Sequence, residues 1–353
     1  MNKKLERTAK DIGFILLNIL IAMFLGSILI VLQGENPFTV YYYLLVEPLS
    51  SLRGIMKVLG KATPLIFTGL AAVVCFRCNI FNVGVEGQIY VGALGGALVL
   101  LFAPINNYVI ALVLACAVAM LAAGLWAGLA GWLKIRFKVH EVISTIMLNY
   151  VASAFLSYIV VDFLKKPGSN PRTESFSQQF TKFMPPEHVN TGLIIAVAAV
   201  FLMFLFLEFT PVGWKIDASG KNLESTRFSG VSSKRLVMTA MLISGMLAGL
   251  CGMERIAGAY GYLEVGFSPG YGYDGMIIAI IGRNNPIGAL ITALFFGLLH
   301  YGGVTINMYT SIPTEWVYVL ISIMFILVAA QDRIIGSIFS GFKNMVNRGR
   351  KKA

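Results

Sequence analysis

The feature that most limits what this chain can become is its succession of long apolar blocks, ten of them, at residues 12–32, 62–76, 83–102, 108–133, 142–163, 192–209, 236–257, 265–281, 287–301 and 316–330. About 20 apolar residues at 1.5 Å per residue cross a hydrocarbon layer of about 30 Å. Each backbone N–H and C=O inside that layer must find a partner within the protein, so repeated apolar blocks of this length mean α-helices. The expected fold is therefore all-α: a polytopic transmembrane bundle of about ten spans, forming one domain over residues 1–353. With 57% hydrophobic and 13% charged residues, the chain carries more apolar surface than a soluble core of its length can hide.

Charge placement sets the expected topology. The formal net charge is +11, but the basic residues stand at the tips of apolar blocks and at both ends of the chain. No basic face is interleaved with aromatics, which excludes a nucleic-acid surface. Ten crossings with a cytoplasmic N-terminus put most of the 28 Lys and Arg on the inner side, including the tail with Lys343, Arg348 and Arg350; nine crossings would expel that tail. The block at 265–281 holds Pro269, Asp274 and several glycines, so it reads as a broken or re-entrant crossing buried in the bundle. The basic segment 1–10 leads into an apolar block without a small-residue cleavage site, hence a retained span rather than a removable signal.

Few constellations suggest chemistry, and none is catalytic. Gly54, Gly60 and Lys61 have the wrong spacing for a phosphate loop, and Ala62 stands where a hydroxyl should hold magnesium, so ATP must be used by another polypeptide. Cys75 and Cys78 form a single C-x-x-C with no second pair, and His140, His188 and His300 are scattered, so neither a metal site nor a resident cofactor is expected. Gly92 and Gly96, Gly124 and Gly128, and Gly245 and Gly249 are four-residue pairs suited to close helix packing.

The polar residues inside the blocks are more informative. Asn82, Glu86 and Gln88 lie where the third block begins, and a carboxylate at that depth faces either a neighbouring helix or a wet pathway. Asn149, Asp162, Asp274 and His300 pose the same alternative, and Tyr90 offers an aromatic face. Asn82, Glu86, Gln88 and Asn149 are the candidate substrate pathway. Segment 210–235 is the longest inner connection, charged, with a core at Ala218–Asn222 and a close at Phe228–Val231. A short helix between its two glycines would suit contact with a soluble partner under the bilayer.

Four stretches carry a resemblance. Thr63-Pro64-Leu65-Ile66-Phe67-Thr68-Gly69-Leu70-Ala71, Phe81-Asn82-Val83-Gly84-Val85-Glu86-Gly87-Gln88, Glu141-Val142-Ile143-Ser144-Thr145-Ile146-Met147-Leu148-Asn149-Tyr150 and Gly282-Arg283-Asn284-Asn285-Pro286-Ile287-Gly288 together resemble the permeases of nucleoside-type ABC importers. That group also contains ribose and branched-chain amino acid permeases, and the resemblance runs over about residues 36–332. It implies a plasma-membrane permease with a second permease subunit, usually as a heterodimer. It also implies a cytoplasmic ATPase carrying ATP and magnesium, an extracellular binding lipoprotein, and a nucleoside substrate, with a ribose-type sugar as the alternative. The family's coupling element falls on Ala218, Gly220, Asn222 and Gly230, while Glu224 and Ser225 stand where the family has smaller, more apolar residues.

Overall fold

The computed structural model describes residues 21, 23–168, 170–185, 189–222, 232–316, 318–323 and 326. The expectations for residues 1–20, Glu224, Ser225, Gly230 and the basic tail lie outside the described residues, as does the end of the tenth block from residue 327. The chain divides into two compact units: residues 47–301, and a smaller one made of residues 1–46 and 302–353.

Helices account for nearly all regular structure. They are α1 (Met23–Leu32), α2 (Pro37–Tyr41), α3 (Leu52–Arg77), α4 (Val85–Phe102), α5 (Tyr108–Phe137), α6 (Glu141–Ile159), α7 (Gly192–Phe209), α8 (Pro211–Lys221), α9 (Ser233–Met253), α10 (Tyr271–Ile281) and α11 (Pro286–Tyr309). With the wide turn 160–164 that extends α6 and the wide turn Glu254–Tyr260 that extends α9, seven helices among the described residues are long and apolar enough to cross a membrane; α1 and α10 are shorter apolar helices. The seven coincide with seven of the ten expected blocks, and α3 starts ten residues earlier than its block. The block at 265–281 is helical only from Tyr271, since Gly270 adopts a left-handed φ of 104° and Gly266 one of 79°.

Helix ends follow local chemistry. Ser51 caps α3 by accepting from Gly54 N at 3.0 Å, and Asn107 caps α5 by accepting from Val109 N and Ile110 N. Thr210 turns extended and stops α7, then caps α8 by accepting from Gly213 N at 3.1 Å, with Pro211 in the first helical position, where its missing N–H costs nothing. Lys138, Asn79, Arg283 and Asn284 take left-handed φ values of 54–56° in the connections after α5, α3 and α10.

Small residues let the central helices touch. α9 packs on α5, α4 and α3. A methyl group on Gly245 or Gly249 would run into the carbonyl oxygens of Ala123 or Ala119 on α5, and one on Gly92 would lie 2.6 Å from Gly249 Cα. Lipid gives helices no hydrophobic reason to associate, so this backbone approach supplies the van der Waals contact that holds them together. Gly124 and Gly128 face Met246 and Leu242 from the other side of the same seam.

At one end of the larger unit an extended strap, 171–182, runs along 257–265. Thr173 N donates to Leu263 O, Phe176 N to Gly261 O and Phe180 N to Ala257 O, at 2.8–2.9 Å. These bonds occupy carbonyls that the wide turn Glu254–Tyr260 and the following non-helical stretch leave outside any helix. At the opposite end, α8 and the connections α3–α4, α5–α6 and α10–α11 gather. In the smaller unit Tyr41 Oη donates to Met23 O, Tyr43 stacks on Tyr309 at 4.6 Å, and Glu35 Oε1 accepts from Ser311 N and Oγ.

Candidate functional site

The structure gathers Asn82, Glu86, Gln88 and Asn149 around the first turn of α4, and all four are buried. Asn82 Oδ1 accepts from Gly84 N at 3.0 Å, which turns the chain into α4, and its Nδ2 donates to Ser244 Oγ on α9 at 3.0 Å. Gln88 Nε2 donates back to Asn82 Oδ1 at 3.2 Å. Asn149 reaches across from α6: its Oδ1 accepts from Gly87 N at 2.8 Å and its Nδ2 donates to Val83 O at 2.9 Å. The first N–H groups of a helix have no partner inside it, and here a side chain from another helix satisfies one of them.

Glu86 plays the same part for a different helix. Its Oε2 accepts from Gly272 N, the second residue of α10, at 2.7 Å. A carboxylate at a helix N-terminus also meets the positive end of the helix dipole. Its other oxygen, Oε1, is buried with no hydrogen-bond partner among the described residues, and so is Ser268 Oγ in the stretch leading into α10. Tyr90 Oη donates to Ser268 O at 3.3 Å while its ring meets Phe267 edge-on. The network ties α4, α6, α9 and α10 together around the broken crossing.

Of the remaining polar candidates, Asp274 and His300 pair between α10 and α11 at 3.1 Å, whereas Asp162 is exposed in the turn that ends α6. Cys75 and Cys78 are free, buried thiols. Ala218, Gly220 and Asn222 lie at the C-terminal end of α8, where Asn222 N closes the helix on Ala218 O. A helix, α8, opens this segment and contains Gly220, because Thr210-Pro211 supplies a start signal; the stretch 223–231, where the expected helix between the two glycines falls, lies outside the described residues. Gly220 sits directly on the end of α3, with no room for a methyl group between it and Arg77 O.

One polar cluster went unread in the sequence. Glu254 and Arg255, 1% and 3% exposed, form a bidentate pair at 2.7 and 2.8 Å. Asn190 Nδ2 donates to Glu254 Oε1, and Arg255 reaches Gly60 O and Tyr271 Oη. Adjacent opposite charges ending an apolar run were the available signal, since such charges inside a bundle must be paired.

Residues 54–329 match the family model described as branched-chain amino acid transport system / permease component. Among curated relatives, a glucose ABC transporter permease of Haloferax volcanii is 30% identical over 91% of this chain and 87% of its own. A guanosine ABC transporter permease of Bacillus subtilis is 32% identical over 90% and 93%, and a nucleoside ABC transporter permease of Lactococcus lactis 29% identical over 90% of each. By this match and its apolar helices the chain belongs to this permease family: it is a multi-pass plasma-membrane component of an ABC transporter, a transport subunit and not an enzyme.

Proposed function

We propose that this chain forms half of the translocation path of a nucleoside importer, together with a second permease subunit, a cytoplasmic ATPase that binds ATP and magnesium, and an extracellular binding lipoprotein. The nucleoside assignment is carried by the guanosine and nucleoside permeases that match nine-tenths of the chain. Lys134, Arg136, Lys215, Lys221, Lys234, Arg235 and Arg283 stand at or near the α8 end, which supports a cytoplasmic position for that end; both termini are assigned to the same side on the basic residues they carry.

The mechanism follows from what α8 touches. ATP binding closes the partner ATPases, and their movement displaces α8, which bears through Gly220 on Arg77 at the end of α3. Residues 210–235 act as the coupling loop, with Ala218, Gly220, Asn222 and Gly230 as its coupling residues. Such a movement shifts the permease between states only if those states differ in their contacts with both ATPase and substrate. The α4 network supplies candidate groups: the side chains of Asn82, Glu86, Gln88 and Asn149 are donors and acceptors suited to a neutral polar solute once a change of state frees them from one another.

Reconstitution of the permease pair with its ATPase and binding protein tests this reading. ATP-driven uptake of labelled guanosine should be inhibited by excess unlabelled nucleosides and not by free ribose or glucose. Inhibition by the sugars alone would establish the second reading, a sugar permease, which the glucose relative favours.

A further inference from the structure

Lys61 belongs to no phosphate loop, and the α4 network does not use it. It lies in the first half of α3, the half away from α8, inside a helix long and apolar enough to cross a membrane. An ionisable side chain there is costly and normally faces the bundle interior or water. From Ala62 to Cys75 every residue of α3 is buried, so this helix runs through the middle of the larger unit and not along lipid. Lys61 itself is exposed, and its ammonium has neither a hydrogen bond nor an ion pair among the described residues. The charge that acts on it, that of buried Arg255, has the same sign.

The exposure has a cause in the broken crossing. Gly54, Lys61 and Thr68 stand about two helical turns apart and share one stripe of α3. At Gly54 the stripe is closed by Pro48 O, which leaves no room for a methyl group; at Thr68, 0% exposed, it is closed by Gly275 of α10. Because α10 begins at Tyr271, one turn before Gly275, and left-handed Gly266 and Gly270 bend the preceding chain, α10 stops short of Lys61. The cation is left open beyond the N-terminal end of α10, one turn inward of Lys57, whose ammonium lies 5.3 Å from the centre of the Tyr301 ring.

A lysine ammonium carries three donors and no acceptor, so it is satisfied by acceptor atoms and selects against a donor brought to the same place. Among nucleosides that difference lies on the base: guanosine, inosine and uridine present a carbonyl oxygen where adenosine and cytidine present an amino group. Lysine reads guanine through O6 and N7 on this ground. A ribose hydroxyl is common to all of them and offers no choice. We propose that Lys61 sets base preference, its ammonium donating to the carbonyl oxygen of a base held at the N-terminal end of α10. The inference rests on the nucleoside reading above and narrows it to carbonyl-bearing bases.

ATP-driven uptake by the complete complex in proteoliposomes tests it, with each nucleoside at a concentration that saturates the binding protein, so that selection by that partner drops out of the maximal rates. The ratio of guanosine, inosine and uridine rates to adenosine and cytidine rates should be about ten or more in the wild type, the worth of one hydrogen bond to a charged group. It should fall about tenfold in Lys61→Met, which keeps the side-chain length, and recover in Lys61→Arg, which keeps the donors. Lys61→Cys should react with a membrane-impermeant maleimide added from outside, the modified peptide being identified by mass spectrometry, and guanosine should slow that reaction. A ratio unchanged in Lys61→Met at normal assembly would overturn the assignment and leave the nucleoside reading standing; that includes the case in which all rates fall together, as they would if Lys61 met the binding protein instead. So would a thiol at that position which the reagent cannot reach. A wild-type complex that imports no nucleoside would overturn both.

Discussion

Arg255 Nη2 donates to Gly60 O at 3.3 Å, and Gly60 is the residue whose carbonyl Pro64, four positions on, has no N–H to satisfy. The proline that interrupts the bonding of α3 and the buried cation at the end of α9 are thus two parts of one arrangement, and Glu254 neutralises the cation that the arrangement requires. Arg255→Met should cost about 3–5 kcal/mol, because it strands Glu254 as a buried unpaired charge. Pro64→Ala returns a donor to Gly60 and removes part of the need for Arg255. Unfolding of the four species of a Pro64→Ala/Arg255→Met cycle in detergent should show a coupling of about 0.5–3 kcal/mol, and strict additivity would refute the link.

Glu86 holds α10 by its N-terminus, so its substitutions separate tethering from contact with substrate. Glu86→Gln keeps an acceptor for Gly272 N and should leave assembly intact. Glu86→Ala leaves that N–H buried and unpaired, at a cost of about 1–3 kcal/mol. Purified yield and thermal unfolding will show the difference. If Oε1 meets substrate, Glu86→Gln will also slow transport at normal yield; equal loss of yield in both variants would mean that the carboxylate charge itself is needed for folding.

The bundle was legible in the sequence because lipid forces apolar length and helix to coincide, and seven long helices fall on seven of the expected blocks. The polar residues of the third block were visible as costly intruders, yet their roles were not: Asn149 reaching Gly87 N depends on how α6 packs on α4, which no spacing along one helix encodes. The start of α8 was written in Thr210-Pro211 but masked by the glycines that drew attention further on. Arg255 was invisible as a partner for Pro64 because 191 residues separate the two, and only the closed fold brings them together.

The seam between α9 and α5 tests how far close approach holds the bundle. Gly249→Val should push α9 away from the carbonyl of Ala119, with an overpacking cost of about 1–3 kcal/mol. Gly124→Ala on the same seam meets only Met246 Cγ at 3.3 Å and Leu242 O at 3.4 Å, and the flexible methionine can withdraw. Denaturation midpoints in detergent should fall for the first variant and stay nearly level for the second. Equal falls would show that the seam rejects any added bulk, whatever atom it meets.

Gly220 distinguishes a coupling contact from a merely compact one. Its Cα faces the carbonyl of Arg77 with no space for a methyl group, so Gly220→Ala must lift the C-terminal end of α8 from α3, while the Thr210 cap and Pro211 keep the helix start in place. Displacement by about an ångström leaves the bundle core untouched, since α3, α4, α5 and α9 hold one another independently of α8. The variant complex should therefore assemble and hydrolyse ATP, yet import guanosine at least tenfold more slowly per ATP consumed, a loss of about 1.4 kcal/mol in coupling. Asn222→Ala keeps the backbone bond that closes α8 on Ala218 O and leaves the Gly220 contact unchanged, so it should be milder. Transport per ATP unchanged in Gly220→Ala would remove α8 from the coupling path, whatever the fate of the other assignments.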